Sequence, residues 1–207
     1  MFYQNGSKTL LIWFGGMDEP FISQKMAIAC NVDVLAVTDK FKSWYSLGFC
    51  SNHSTYQDSL EQLEKTISDG AYEKLVFCGQ SSGGYAALKY ALDLKPDLVI
   101  AFSPQTKNAF SGSGRMSPHI KLEDLGERYA NNIETKLVFL LARSEADHED
   151  KFRWDDWWQV AKFRNHPSST FIDLPYHNHN ISSIIRNRMN LYSFISGLLT
   201  MFIHPTF

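Results

Sequence analysis

The residues with the clearest chemical potential form the pentapeptide Gly79-Gln80-Ser81-Ser82-Gly83. A serine hydroxyl is a weak nucleophile until a neighbouring base takes its proton. Glycines on either side permit a tight turn that leaves the hydroxyl standing clear. An apolar run, Lys74-Leu75-Val76-Phe77-Cys78, precedes the pentapeptide, and a helix-forming stretch from Tyr85 to Leu92 follows it. G-x-S-x-G between a strand and a helix predicts an exposed nucleophile at the end of a sheet. A turn that merely caps a helix would share the five letters. It would not need a base and an acid elsewhere in the chain, and this chain supplies both. Glu145, Asp147, Glu149 and Asp150 follow the apolar run 136–142, and His177 and His179 follow the run 170–174.

The elements that must hold these groups are legible as alternating short runs. Strand candidates lie at 9–14, 32–37, 74–79, 98–102, 136–142 and 170–174. They are apolar on both faces, as strands of a parallel sheet covered on both sides are. Helix candidates lie between them, at 19–29, 56–68, 82–92, 122–131 and 153–163, with a last one at 181–202. Thr55 or Ser54 can cap the second helix, with Asp58 in its first turn, and Leu60, Leu63 and Ile67 give that helix one apolar face. The pattern predicts a single domain over residues 1–207. Its architecture is α/β, a doubly wound, mostly parallel sheet of about six strands with helices on both faces and a minimal lid. Two irregular connections, 41–53 and 103–121, should leave the carboxyl ends of strands, where open α/β sheets bind their ligands.

Composition excludes several other classes. The 207 residues carry a net charge of -2 with no long basic run, which argues against a nucleic-acid partner. Cys30, Cys50 and Cys78 are odd in number and widely spaced, so neither a disulfide framework nor a metal cluster is expected. His177 and His179 lack a third ligand at metal-site spacing. Gly15-Gly16 belongs to neither a G-x-G-x-x-G fingerprint nor a P-loop lysine motif. No metal and no cofactor are therefore expected. The N-terminus lacks a charged stretch followed by an apolar one, and Ser193, Ser196, Gly197 and His204 interrupt the apolar segment 191–207. These features predict a cytoplasmic protein without a membrane partner.

The strand–turn–helix setting of Ser81 resembles the nucleophile elbow of the α/β-hydrolase superfamily, and the resemblance runs from the first strand to the last helix. It implies the chain order nucleophile, acid, histidine, with the family's first two strands absent or reduced. Ser144-Glu145-Ala146-Asp147 stands where the family often has G-x-x-D, which implies Asp147 as the acid. Asn178-His179-Asn180-Ile181 resembles the histidine loop, which implies His179 as the base. His177 is then left to position the loop or to touch substrate. Trp13-Phe14-Gly15-Gly16-Met17-Asp18 resembles the oxyanion loop, with Phe14 where a histidine is often found. By that likeness the N–H groups of Met17 or Gly16, together with that of Ser82, would hold an oxyanion.

Substrate-binding candidates are Trp44, Tyr45, Phe102, Tyr176 and His177, with Phe110 and Met116 nearby in the chain. Their plain alternative is core packing. Trp154, Trp157 and Trp158 read as core, as a contact in a homodimer, or as a platform for a sugar ring. The resemblance implies a serine carboxylic-ester hydrolase acting on a small-molecule ester of a small acyl group through an acyl-enzyme. A deacetylase of an acylated sugar is one such enzyme. Thioesterase or peptidase activity is the nearest alternative. A non-catalytic hydrolase-fold binding or biosynthetic accessory protein is the alternative from another class.

Overall fold

A computed structural model of the chain describes residues 1–17, 24–49, 55–107, 121–130, 134–142, 156–176 and 179–204. Its centre is a seven-stranded sheet in the order β1-β3-β2-β4-β5-β6-β7. The strands are β1 (Phe2–Tyr3), β2 (Thr9–Phe14), β3 (Asp33–Val37), β4 (Lys74–Gln80), β5 (Leu98–Phe102), β6 (Lys136–Ala142) and β7 (Ser169–Leu174). All pair in parallel except β1, which runs antiparallel to β3. The six strands expected from the sequence are present. The seventh, β1, is too short to announce itself by pattern.

Residues one apart in a strand point to opposite faces, and the central strands β2, β4, β5 and β6 are buried on both. Leu10, Ile12 and Phe14 of β2 join one core cluster, whereas Leu11 and Trp13 join the other. On the first face lie α2 (Tyr56–Asp69), α3 (Ser82–Leu94) and α4 (Leu125–Tyr129). On the second lie α1 (Gln24–Cys30), α6 (Ile181–Arg188) and α7 (Leu191–Phe202). A four-residue helix, α5 (Asp156–Gln159), and a 3₁₀ turn at Ala161–Phe163 follow β6.

The chain leaves β2 for α1 and leaves β4 for α3, which lie on opposite faces of the sheet. Adjacent strands whose connections diverge in this way open a crevice at their carboxyl ends, the usual ligand site of such sheets. Both Gly15-Gly16 and Ser81 stand at this point of divergence.

Helix boundaries depart from the sequence expectation where local chemistry overrides apolar pattern. The last apolar segment is two helices, because Met189 is extended and the Asn190 side chain accepts from Tyr192 N–H and Ser193 N–H to start α7 afresh. The helix expected at 153–163 is reduced to α5 and the 3₁₀ turn, with 153–155 outside the described residues. Among the described residues no helix is long and apolar enough to cross a membrane.

The α2 N-terminus matches its expected cap. Thr55 accepts from Asp58 N–H, and the Asp58 carboxylate accepts from Thr55 N–H at 2.7 Å, a reciprocal capping box. Thr55→Ala is expected to lower the free energy of unfolding in urea by about 1 kcal/mol, the usual worth of such a cap.

Candidate active site

Ser81 sits between β4 and α3 with φ 57° and ψ -114°. Residues other than glycine rarely occupy such backbone, and it persists only where surrounding packing fixes it. Two glycines provide that packing. A Cβ on Gly79 would overlap the backbone of Gly83, and a Cβ on Gly83 would overlap the carbonyl of Phe14. The turn therefore closes backbone on backbone, and the first turn of α3 rests against the end of β2. Ser81 N–H donates to Phe102 O at 2.9 Å, which continues the β4–β5 pairing up to the nucleophile candidate.

His179 faces Ser81 from the far side of the crevice. Its Nε2 lies 2.8 Å from Ser81 Oγ, and its Nδ1 lies 3.0 Å from Asp156 Oδ1. With Nδ1–H donating to the carboxylate, Nε2 is left to accept the serine proton. The Asp156 side chain is only 2% exposed, but its second oxygen is satisfied. Asp156 Oδ2 accepts from Ala142 N–H at 2.9 Å and from the Ser103 hydroxyl. These donors come from the carboxyl ends of β6 and β5. A buried carboxylate held by three donors is fixed in direction as well as place.

The carboxylate that the described residues place beside His179 is Asp156, whereas the sequence points to Asp147. Asp147 lies outside the described residues. Spacing after β6 does not point to Asp156, because it comes to the strand end from the start of α5, well after Ala142 in the chain. A signal was available in Asp155-Asp156-Trp157-Trp158, a carboxylate pair at a helix start flanked by aromatics.

On the opposite side of Ser81 stands the candidate oxyanion loop. Gly15 N–H is spent on Val37 O at 3.0 Å, and Gly15 O accepts from the Tyr45 hydroxyl at 2.8 Å. Gly16 and Met17 follow directly, and Ser82, 2% exposed, opens α3. The first amides of a helix have no intrahelical acceptor, which leaves Ser82 N–H to meet a developing anion. The contact of Gly83 with Phe14 and Gly15 brings this helix start to the loop that carries Gly16 and Met17.

The substrate-binding candidates fare differently. Tyr45 and Phe102 are wholly buried. Tyr45 braces the Gly15 carbonyl and meets Phe14 edge-on, while Phe102 packs with Trp13, so both are core residues rather than pocket walls. Trp44 is 5% exposed and donates its indole N–H to Gln105 Oε1 at 2.6 Å. Gln105 N–H in turn points to Ser81 O at 3.4 Å, so Trp44 reaches the site through one intermediary. Tyr176 is half-buried beneath the Arg188 guanidinium. Phe110, Met116, Trp154 and His177 lie outside the described residues. Trp157 stacks on Phe171, and Lys107 covers the ring of Trp158 at 3.8 Å, so both tryptophans pack within this chain.

Among the described residues the remaining acid–base groups offer no rival centre. Burial pushes the Cys30 thiol up to about 11, far from a thiolate at neutral pH. Among the described residues no group of three histidine, cysteine or carboxylate side chains is arranged to hold a metal ion.

No protein-family model matches the chain, and no curated protein matches it by sequence. Solved structures do match by shape. The Pyrococcus furiosus esterase Pf2001 aligns with a TM-score of 0.67 at 14% identity, over 96% of this chain and 84% of that one. The capsule O-acetyltransferase of Neisseria meningitidis serogroup A aligns with a TM-score of 0.65 at 13% identity, over 96% and 90% of the two chains. The fluorophosphonate-binding serine hydrolase FphF of Staphylococcus aureus aligns with a TM-score of 0.53 at 15% identity, over 90% and 83%. Together with the parallel sheet, its point of divergence and the strained serine turn, these likenesses establish that the chain has the fold of the α/β-hydrolase superfamily.

Proposed function

We propose that the chain is a serine hydrolase that cleaves carboxylic esters of small acyl groups through an acyl-enzyme on Ser81. The observation that carries this reading is the continuous relay from Ser81 Oγ through His179 to the buried Asp156, at 2.8 and 3.0 Å. In the proposed reaction His179 Nε2 takes the Ser81 proton as Oγ bonds to the ester carbonyl carbon. The carbonyl electrons move onto oxygen, and the N–H groups of Ser82 and of Met17 or Gly16 receive the charge. Asp156 holds the imidazole tautomer and stabilises its cationic form. Collapse of the intermediate breaks the bond to the leaving alkoxide, which takes the proton from His179. A water then repeats the sequence: His179 accepts its proton, the hydroxide oxygen bonds to the acyl carbon, and Ser81 leaves protonated with release of the acid. No cofactor takes part in any step.

A specific observation favours a sugar-borne acetyl group as one substrate class. One structure of similar shape is described as a capsule O-acetyltransferase and another as an esterase. Both descriptions fit one acyl-enzyme, with water or a second hydroxyl as its acceptor. Acetylated sugars therefore belong in the substrate panel beside simple esters and thioesters.

The test is labelling with a fluorophosphonate probe together with turnover of p-nitrophenyl esters of increasing chain length. Wild type is expected to label and to prefer the shortest esters, and Ser81→Ala to do neither. Labelling of Ser81→Ala at the wild-type rate would show that another residue is the nucleophile. Asp156→Asn is expected to lower kcat by about four orders of magnitude, because the imidazole loses the partner that selects its tautomer. Asp147→Asn should stay within about threefold of wild type, because the proposed relay does not use it. The opposite ranking of these two variants would return the acid role to Asp147.

A further inference from the structure

Gln80, the residue before the nucleophile, is the last residue of β4, and its side chain is buried at 3% exposure. Both ends of its amide are engaged with the histidine segment. Nε2 donates to His179 O at 2.9 Å, and Oε1 accepts from Ser182 N–H at 3.0 Å. The orientation of the amide follows from its partners, since a carbonyl only accepts and a backbone N–H only donates. Ile181 N–H also donates to His179 O at 3.0 Å, so both lone pairs of that carbonyl are used.

These contacts close a ring. From Ser81 Oγ the path runs through the imidazole to the His179 backbone and its carbonyl. It returns through the Gln80 amide to the Gln80–Ser81 peptide. The residue bonded to Ser81 therefore holds the main chain of the residue that must take the Ser81 proton. Asp156 fixes the direction of the imidazole, but a carboxylate at Nδ1 leaves the ring free to slide along the hydrogen bond. The Gln80 fork removes that freedom at the backbone.

We propose that Gln80 is a positioning residue that sets the distance between His179 Nε2 and Ser81 Oγ. The proposal rests on reading Ser81 and His179 as nucleophile and base. It requires a neutral amide at position 80, with a donor toward His179 and an acceptor toward Ser182. Methionine has similar length and supplies neither arm. Glutamate retains an acceptor for Ser182 but, when ionised, turns a lone pair toward the His179 carbonyl.

The experiment measures fluorophosphonate labelling rates and p-nitrophenyl acetate kinetics for Gln80→Met and Gln80→Glu, each alone and with His179→Ala. Misplacement of a catalytic group by about 1 Å costs on the order of 10²-fold, so each single variant is expected to lose about that much kcat. KM should stay within about threefold, because substrate contacts are untouched. In the His179→Ala background either change should alter the remaining rate by less than about twofold, because Gln80 acts through His179. A wild-type kcat in Gln80→Met overturns the proposal. So does an equal loss with and without His179, which would mark Gln80 as a structural residue only. If Gln80→Met does not fold, Gln80→Glu decides by the same two criteria. Ser81→Ala run alongside separates the levels. Labelling of that variant overturns the nucleophile reading itself, whereas its silence beside an unimpaired Gln80 variant overturns only the positioning role.

Discussion

The site depends on one steric constraint, the closure of backbone on backbone where β4 turns into α3. Gly83 lies against the Phe14 carbonyl and Gly79 against Gly83, with no room for a Cβ at either position. This packing has three consequences at once. It fixes Ser81 in left-handed backbone, at a cost of about 1–3 kcal/mol that the surrounding contacts offset. It seats the N-terminus of α3 against the end of β2, so that helix amides and the Gly15-Gly16 loop share one crevice. It also leaves the Ser81 side chain on the open side of the turn, facing His179. A side chain at Gly83 would disturb Ser81, the Gly15-Gly16 loop and the helix start together.

Much of this was legible in the chain because it is local. Six strands were readable from short apolar runs, and the elbow from five consecutive residues with a strand before and a helix after. The α2 capping box was visible in Thr55 and Asp58, since a cap involves residues only three apart. The last strand and the following helix confine His177 and His179 to one short loop, and only the likeness of Asn178-His179-Asn180-Ile181 to a histidine loop favours His179. The break at Asn190 was not read, because a cap signal of a single residue did not interrupt the helical reading of 181–202.

The carboxylate beside His179 is a different kind of problem. The local signal at Asp156, a carboxylate pair beside aromatics, does not rank it above the carboxylates that precede it, because its place depends on three donors from the ends of β5 and β6 and from His179. A spacing rule after a strand presumes a short loop, whereas a long connection can return any carboxylate to the strand end. The aromatics mislead for a related reason. Tyr45 lies in an irregular segment that sequence pattern would place at the ligand, yet its ring fills the core and its hydroxyl supports the Gly15 carbonyl. A residue near the site in the chain can serve it from below rather than line it. Trp44, tied to Gln105 beside the Ser81 backbone, is an intermediate case.

Burial changes steeply along the relay, and the gradient has a chemical sense. Asp156 is 2% exposed at the side chain, His179 is 20% exposed, and Ser81 is open enough to be reached. In the dry end of such a relay a carboxylate attracts an imidazolium more strongly than it would in water, so the positive charge formed on proton transfer is stabilised where screening is weakest. The opposite end must stay accessible, because the proposed second half-reaction needs an acceptor hydroxyl within reach of Nε2. Burying His179 as deeply as Asp156 would strengthen the first step and block the second. Holding the histidine through its backbone resolves that conflict: the Gln80 amide and the start of α6 fix its main chain inside the protein, and the exposed imidazole edge remains in the crevice.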